Sequence, residues 1–255
     1  MKVTDNTILI TGGGSGIGRA LAEAFHRLGN QVVIAGRGQK ALDETTAANP
    51  GMKSLTLNVS ESQSIQAFAA QLTKDYPSLN VLINNAGIMQ PENLLEKPDE
   101  LSTAESTITT NLLGPLRLTS ALLPQLRKQP RASIVNVSSG LAFVPLAITP
   151  TYCATKAAIH SYTQSLRYQL KATTVEVVEL IPPYVQTTLM GDQQAADPNA
   201  MPLREFIDEV MSILQTQPDV QEVCVKRVYP LRFAAEGEQE KYDRFFQQFN
   251  DSMHK

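Results

Sequence analysis

TGGGSGIG, residues 11–18, joins the apolar run TILIT (7–11) to an amphipathic stretch, GIGRALAEAFHRLG (16–29), that closes on Gly29. Tested against the strict G-x-G-x-x-G pattern it fails, because every register sets a bulky or polar residue on one glycine position. What remains is Gly12, Gly16 and Gly18, a G-x-x-x-G-x-G spacing. The physical logic survives: glycine permits a tight turn, lets backbone approach a pyrophosphate and brings helix against strand, while the helix N-terminus favours the anion. A bare glycine turn marks only a tight strand-to-helix connection. Its place in the first βα unit points to a nucleotide site.

Outward from this turn, short apolar runs alternate with amphipathic stretches. QVVIAG (31–36) reads as a strand, 39–48 as a polar helix, KSLTLNV (53–59) as a strand, ESQSIQAFAAQLTKDY (61–76) as a helix and NVLINNAG (80–87) as a strand breaking on Gly87. A long helical pattern over 101–128 leads to the strand ASIVNVSS (132–139), a helix over 151–171 and the strand TVEVVELI (174–181). An irregular stretch to 202, a helix near 203–216, the strand VCVKRV (223–228) and a final helix from 238 follow. Strands so rich in Val, Ile and Leu are covered on both faces, which predicts a parallel sheet between two helical layers. Right-handed crossovers make it an α/β, three-layered, doubly wound sheet of the Rossmann type.

A chain of 255 residues is enough for one such domain, expected to span 1–255. With 42% apolar and 18% charged residues it has the composition of an ordinary globular protein, and a net charge of −3 offers no basic field for nucleic acid or an anionic membrane. Neither a leader segment nor an apolar run of roughly 18 residues, the length that crosses a bilayer, is expected. Cys153 and Cys224 are too isolated for a disulfide framework or a zinc site, which fits a reducing cytoplasm. His26, His160 and His254 show no metal-ligand spacing, so no metal is expected and each reads as structural or solvated.

TGGGSGIG is followed in order by NNAG (84–87), Asn111 in TTNLLG, VNVSS (135–139) and YCATK (152–156). This series resembles the short-chain dehydrogenase/reductase family, in the form whose chains are about as long as this one. LIPPYVQT (180–187) and the MPLREF stretch after it resemble the DltE-like subgroup of that family. The resemblance implies hydride transfer between a nicotinamide cofactor and a small-molecule alcohol, ketone or aldehyde. It implies cofactor contacts from Gly12, Ser15, Gly16, Ile17 and Gly18, from Asn85, Ala86 and Gly87 beside the adenosine ribose, and from Pro182, Val185 and Thr187 around the nicotinamide carboxamide and phosphates. Asn58 and Val59 belong with these, Asn58 standing where relatives usually have Asp near the adenine amino group; its side-chain carbonyl can still accept that hydrogen bond. Relatives usually have Pro-Gly at Pro182-Pro183, so a stiffer, differently shaped loop is expected here.

The strand VVIAG ends on Arg37. In a dinucleotide fold this corner lies beside the adenosine ribose, where a carboxylate binds both hydroxyls and would repel a 2′-phosphate. Here Gly36 stands where NAD-preferring relatives have Asp, and Arg37 offers planar donors to phosphate. The expected cofactor is therefore NADP(H), although Ser15 stands where many NADP-preferring relatives have a second cation.

Tyr152 and Lys156, four residues apart in a predicted helix, project from one face. Such a pair is commonplace; the resemblance adds Ser139 at a strand end and Asn111 in the long helix. It implies Tyr152 as general acid/base, Lys156 favouring phenolate and holding the nicotinamide ribose, Ser139 on the substrate oxygen, and Asn111 linking a water to Lys156. Carbonyl reduction needs such groups: a proton for the developing alkoxide and donors that polarise the carbonyl. Cys153 points about 100° away around the helix and is expected to pack. Residues 188–202 read equally as a loop over a substrate pocket or as an ordinary linker to the next helix, with Leu141, Phe143, Tyr184 and Met190 as pocket candidates. The resemblance also implies a homodimer or homotetramer packed through 101–128 and 151–171. A non-catalytic NADP(H)-binding redox sensor is the rival reading, and the retention of Ser139, Tyr152 and Lys156 together argues for the enzyme.

Overall fold

The computed structural model describes residues 1–96 and 100–253, so His254 lies outside the described residues. The chain runs β1 (Thr7–Thr11), α1 (Gly16–Arg27), β2 (Gln31–Gly36), α2 (Gln39–Ala48), β3 (Lys53–Thr56), α3 (Ser62–Asp75) and β4 (Leu79–Asn84). It continues α4 (Ser102–Ile108), α5 (Gly114–Leu126), β5 (Ala132–Val137), α6 (Pro150–Leu170), β6 (Val175–Ile181) and α7 (Asp192–Ala196). The last elements are α8 (Leu203–Thr216), β7 (Glu222–Cys224), α9 (Tyr229–Arg232) and α10 (Gln239–Met253).

The strands form one parallel sheet in the order β3-β2-β1-β4-β5-β6-β7. Alternation sorts each strand between two cores. Ile8, Ile10, Val32 and Ile34 face Leu21 and Phe25 of α1 and Phe206 and Val210 of α8. Leu9, Val33 and Leu82 face Ile65 and Phe68 of α3, Leu118 and Leu122 of α5, and Leu166 of α6. Winding reverses between β1 and β4, which opens a crevice at their carboxyl ends, the place where ligands bind in open α/β sheets. Among the described residues no helix is long and apolar enough to cross a membrane.

Three elements differ from the sequence reading, each for a local reason. β3 stops at Thr56 because its partner β2 ends at Gly36, which pairs with it. β7 stops at Cys224 because β6 ends at Ile181, and Pro182 and Pro183 have no N–H to extend a ladder. Residues 226–228 turn instead into a 3₁₀ helix. The long helix over 101–128 is two helices joined by a π turn, Thr109–Leu113. Pro115 lacks the N–H that a regular α-helix would aim at the Asn111 carbonyl.

The first turn of α1 lies unusually close to β1. A Cβ on Gly18 would stand 2.3 Å from the Gly12 carbonyl oxygen and 2.4 Å from Asn85 Nδ2. Alanine is the better helix former by about 1 kcal/mol, so Gly18→Ala would stabilise an uncrowded helix. We expect the opposite sign, a loss of roughly 1–3 kcal/mol from overpacking, read as a lower urea midpoint at unchanged slope. An unchanged or raised midpoint would mean the turn relaxes freely.

Candidate active site

The glycine turn forms one wall of the crevice. Gly12 and Gly16 take φ of 68° and 50°, left-handed backbone that L side chains rarely adopt. Thr11 docks the next wall: its Oγ1 accepts from the backbone N–H of Asn85 and of Ala86, each at 3.0 Å, and Asn85 Nδ2 donates to the Thr11 carbonyl at 2.9 Å. The crevice holds two contiguous clefts of about 360 and 580 Å³, the size range of small-molecule sites. Gly12, Ser15, Gly16, Ile17, Asn85, Ala86 and Gly87 border the first, with Pro182, Val185 and Thr187 opposite. The second runs past Gly36, Arg37 and Val59. Gly18 lies beneath the turn as a spacer.

Arg37 is exposed at that far end, and among the described residues its guanidinium has no hydrogen-bond or ion-pair partner. Asn58 stands apart from both clefts. Its Oδ1 accepts from the Ser60 N–H at 3.1 Å and its Nδ2 donates to Glu61 at 2.7 Å, so the side chain caps the turn into α3. The cradle of glycines where a Cβ would intrude, the uncommitted cation at one end and a buried lysine at the other fit a dinucleotide.

That lysine sits on α6, where Tyr152, Lys156 and His160 follow one another at successive turns of one face. Tyr152 and Lys156 are both buried. Lys156 Nζ donates to the Val137 carbonyl at 2.8 Å and lies 5.5 Å from the centre of the Tyr152 ring. Ser139 takes extended backbone just past β5, accepts from the Leu141 N–H at 3.1 Å and borders the same cleft as Tyr152. Asn111, in the π turn, grips the strand end across the cleft: Oδ1 accepts from Ile88 N–H and Nδ2 donates to Ile88 carbonyl, both at 2.8 Å. Ser139, Tyr152 and Lys156 thus border one cleft, and Asn111 sits behind it against Ile88 and Thr155.

Burial sets their protonation. It raises the Tyr152 phenol well above its ordinary 10.0, with the Ser139 hydrogen bond opposing. The ammonium was expected to favour phenolate; in the free protein desolvation is the largest influence, and Tyr152 is a neutral proton donor. Burial lowers Lys156 from 10.5 to about 8, while the Glu179 carboxylate pulls it back up.

Glu179 is a buried side chain behind this site that the sequence reading passed over. It is fully buried in β6, accepts from Ser138 Oγ at 2.5 Å, and its other oxygen lies 2.8 Å from His160 Nδ1. The signal was there: a glutamate inside the covered strand TVEVVELI must find partners. Val137, Ser138 and Ser139 are successive, so Lys156, Glu179 and Tyr152 pin three consecutive residues at the end of β5. Glu222 approaches the same cluster, but Arg232 pairs with it at 2.7 Å, which makes the group a hydrogen-bonded network rather than a vacant ligand set.

A third cavity, of about 200 Å³, opens beside Tyr152 and Ser139 and is bordered by Leu141, Tyr184 and Met190. Phe143, the fourth expected pocket residue, turns away: its ring packs edge-on against His160 at 4.7 Å and beneath the Arg232 guanidinium. Cys153 is buried, its Sγ against the backbone of Leu146. Within 188–202 lie α7 and a buried Gln194, whose Nε2 donates to the Val185 carbonyl and whose Oε1 accepts from the Met190 N–H.

A family profile described as short chain dehydrogenase matches residues 6–198. The chain is 41% identical over 253 residues, 98% of both chains, to an uncharacterized oxidoreductase, DltE, of Bacillus subtilis. It is 29% identical over 231 residues, 89% of this chain and 99% of the other, to an uncharacterized oxidoreductase of Staphylococcus aureus. Among solved structures it is similar to a Burkholderia cenocepacia short chain dehydrogenase in complex with NADP, at TM-score 0.81, 24% identity and coverage of 96% and 98%. A Burkholderia phymatum short chain dehydrogenase/reductase in complex with NAD matches at TM-score 0.81, 22% identity and coverage of 92% and 95%. A Sphingobium yanoikuyae short-chain dehydrogenase in complex with NADPH matches at TM-score 0.78, 26% identity and coverage of 91% and 92%.

The buried lysine supplies a direct titration test. With lysines ¹³C-labelled at Cε, Lys156 in the free protein should titrate near 8, and Glu179→Gln should move its midpoint lower. The sign carries into stability. Between about 8 and 10.5 the unfolded chain binds the proton that folded Lys156 has released, so its contribution to stability rises with pH across that window. A midpoint unaffected by Glu179→Gln would remove the carboxylate from this account.

Proposed function

Because the chain belongs to the short chain dehydrogenase family, we propose that it is an NADP(H)-preferring oxidoreductase that interconverts an alcohol and a ketone or aldehyde. The observation that carries this reading is the placement of Ser139, Tyr152 and Lys156 together on the cofactor-sized crevice, with Ser139 and Tyr152 also bordering the apolar cavity beside it. A bound nicotinamide supplies or takes up the hydride. In the reductive direction Ser139 donates a hydrogen bond to the substrate oxygen and Tyr152 donates its proton there. Lys156, anchored on the Val137 carbonyl, has further N–H donors for the nicotinamide ribose and favours the phenolate left behind. Asn111, fixed by its two bonds to Ile88, supports a water that returns a proton through Lys156.

Solved relatives bind NADP in one case and NAD in another, so they leave the choice of cofactor to this chain's own corner residues. Gly36 removes the carboxylate, and the unpaired Arg37 guanidinium is available to a 2′-phosphate. The exposed Ile108 and Tyr168, on α4 and α6, support assembly as a homodimer or homotetramer through those helices. Two free thiols suit the reducing cytoplasm.

Two measurements test this. Tyr152→Phe should lower kcat for carbonyl reduction by about 10²-fold or more, the usual worth of a positioned proton donor, while cofactor binding persists. Wild-type turnover in that variant would leave a binding protein, not an enzyme. Arg37→Asp should weaken NADPH roughly ten- to 150-fold, the worth of a charge-assisted hydrogen bond of about 1.5–3 kcal/mol, with NADH little changed. Equal losses for both cofactors would make Arg37 a solvated strand end.

A further inference from the structure

The cavity beside the reacting groups has a one-sided chemistry. Apart from Ser139 and Tyr152, its wall is built chiefly from Met89, Leu141, Leu146, Ile148, Leu231 and Phe249, and among the described residues no Asp, Glu, Lys, Arg or His borders it. Two other polar side chains reach it, and both are committed. Tyr184 Oη donates to Asp197 at 3.1 Å. Gln194 Nε2 donates to the Val185 carbonyl and to Thr187 Oγ1, and its Oε1 accepts from the Met190 N–H. A charged or hydrogen-bonding group on the remote end of a ligand would leave water for a wall without partners, which costs free energy that a hydrocarbon does not pay.

The last helix reaches the cavity through Phe249. Asn250 is buried, accepts from the Ala147 N–H at 2.6 Å and donates to the Pro145 carbonyl at 3.2 Å. Tyr242 Oη donates to the Phe143 carbonyl at 3.2 Å. These bonds dock α10 along residues 143–147, and Phe249 then packs on the small cluster of Leu146, Tyr152 and Cys153. Phe249 therefore borders the cavity beside the segment that carries Tyr152.

We infer that the substrate of this site is an uncharged, apolar ketone or aldehyde, held with its carbonyl at Ser139 and Tyr152 and its hydrocarbon body in this cavity, and that Phe249 sets how far that body extends. The carbonyl half of the inference rests on the oxidoreductase reading; the apolar half rests on the cavity wall alone. Phe249 acts as a specificity residue.

The test uses two ketones with one reacting group: 1-phenylethanone, and the same molecule bearing a para carboxylate. With NADPH and the full chain, kcat/KM should favour the neutral ketone by about 100-fold or more. Met190→Arg, at the exposed rim, should narrow that preference about tenfold by giving the carboxylate a partner. Phe249→Ala should raise kcat/KM for a para-butyl ketone about tenfold relative to the unsubstituted one. Calorimetric binding of both ketones to Tyr152→Phe provides a readout without turnover. If that protein binds the neutral ketone but not the carboxylate while wild type reduces neither, the cavity inference stands and the oxidoreductase reading falls. If the carboxylate is reduced or bound as well as the neutral ketone, or neither binds, the inference is overturned. Carboxylate turnover would still leave the enzyme reading intact.

Discussion

The constraint on which the rest of the molecule depends is the absence of a side chain at Gly18. It lets the first turn of α1 settle over the Gly12 carbonyl and the Asn85 amide, distances at which no Cβ fits. Because Asn85 is held there, bonded to the Thr11 carbonyl, the turn after β4 is tied to the turn after β1 across the point where the sheet reverses. That tie fixes Ile88, and Ile88 in turn receives both side-chain bonds of Asn111. One close helix–strand approach thus orders both walls of the crevice and one member of the reacting group.

The second organising force is the burial of ionisable groups behind the sheet's carboxyl edge. An apolar interior alone would expel Lys156 and Glu179. They are retained because each is bonded to the segment 137–139, Lys156 through the Val137 carbonyl and Glu179 through Ser138. Desolvation then does opposite things to neighbouring groups, raising the Tyr152 phenol and lowering the Lys156 ammonium. The outcome in the free protein is a proton held on tyrosine beside a lysine poised near neutral-to-alkaline pH. Glu179 supports that poise from a distance, with His160 on its other oxygen.

Much of this was legible in the chain because it is local. The glycine spacing, the alternation that sorts β1 between two cores, and the four-residue step from Tyr152 to Lys156 all act over a few residues. What was not legible depends on partners far along the sequence. β3 and β7 end where their neighbours end, and no pattern within KSLTLNV or VCVKRV records that. Asn58 was placed beside the adenine, and its amide also bonds Ser60 and Glu61, a capping role that the adenine reading did not include. Phe143 was chosen as a pocket wall for its apolar ring, and Arg232, 89 positions later in the numbering, draws that ring the other way. Asn111 was placed in a helix; Pro115 makes that helix a π turn, which is a local signal that periodicity alone overlooks.

The two sides of the reacting corner are built from different parts of the chain, and this division has a physical consequence. The cofactor wall comes from β1, β2 and β4, strands locked by ladders on both sides, and it can vary little without disturbing the sheet. The opposite wall draws in part on residues after β6, where Pro182 and Pro183 end the ladder and free the chain. There discrete bonds hold the shape, among them Gln194 to Val185, Met201 to Tyr184 and Asn250 to Ala147. Each such bond fixes backbone and leaves neighbouring side chains, such as Met190 and Phe249, open to replacement. A chain of this design can keep one proton donor and one cofactor corner while its substrate preference is written in a few apolar side chains that no strand constrains.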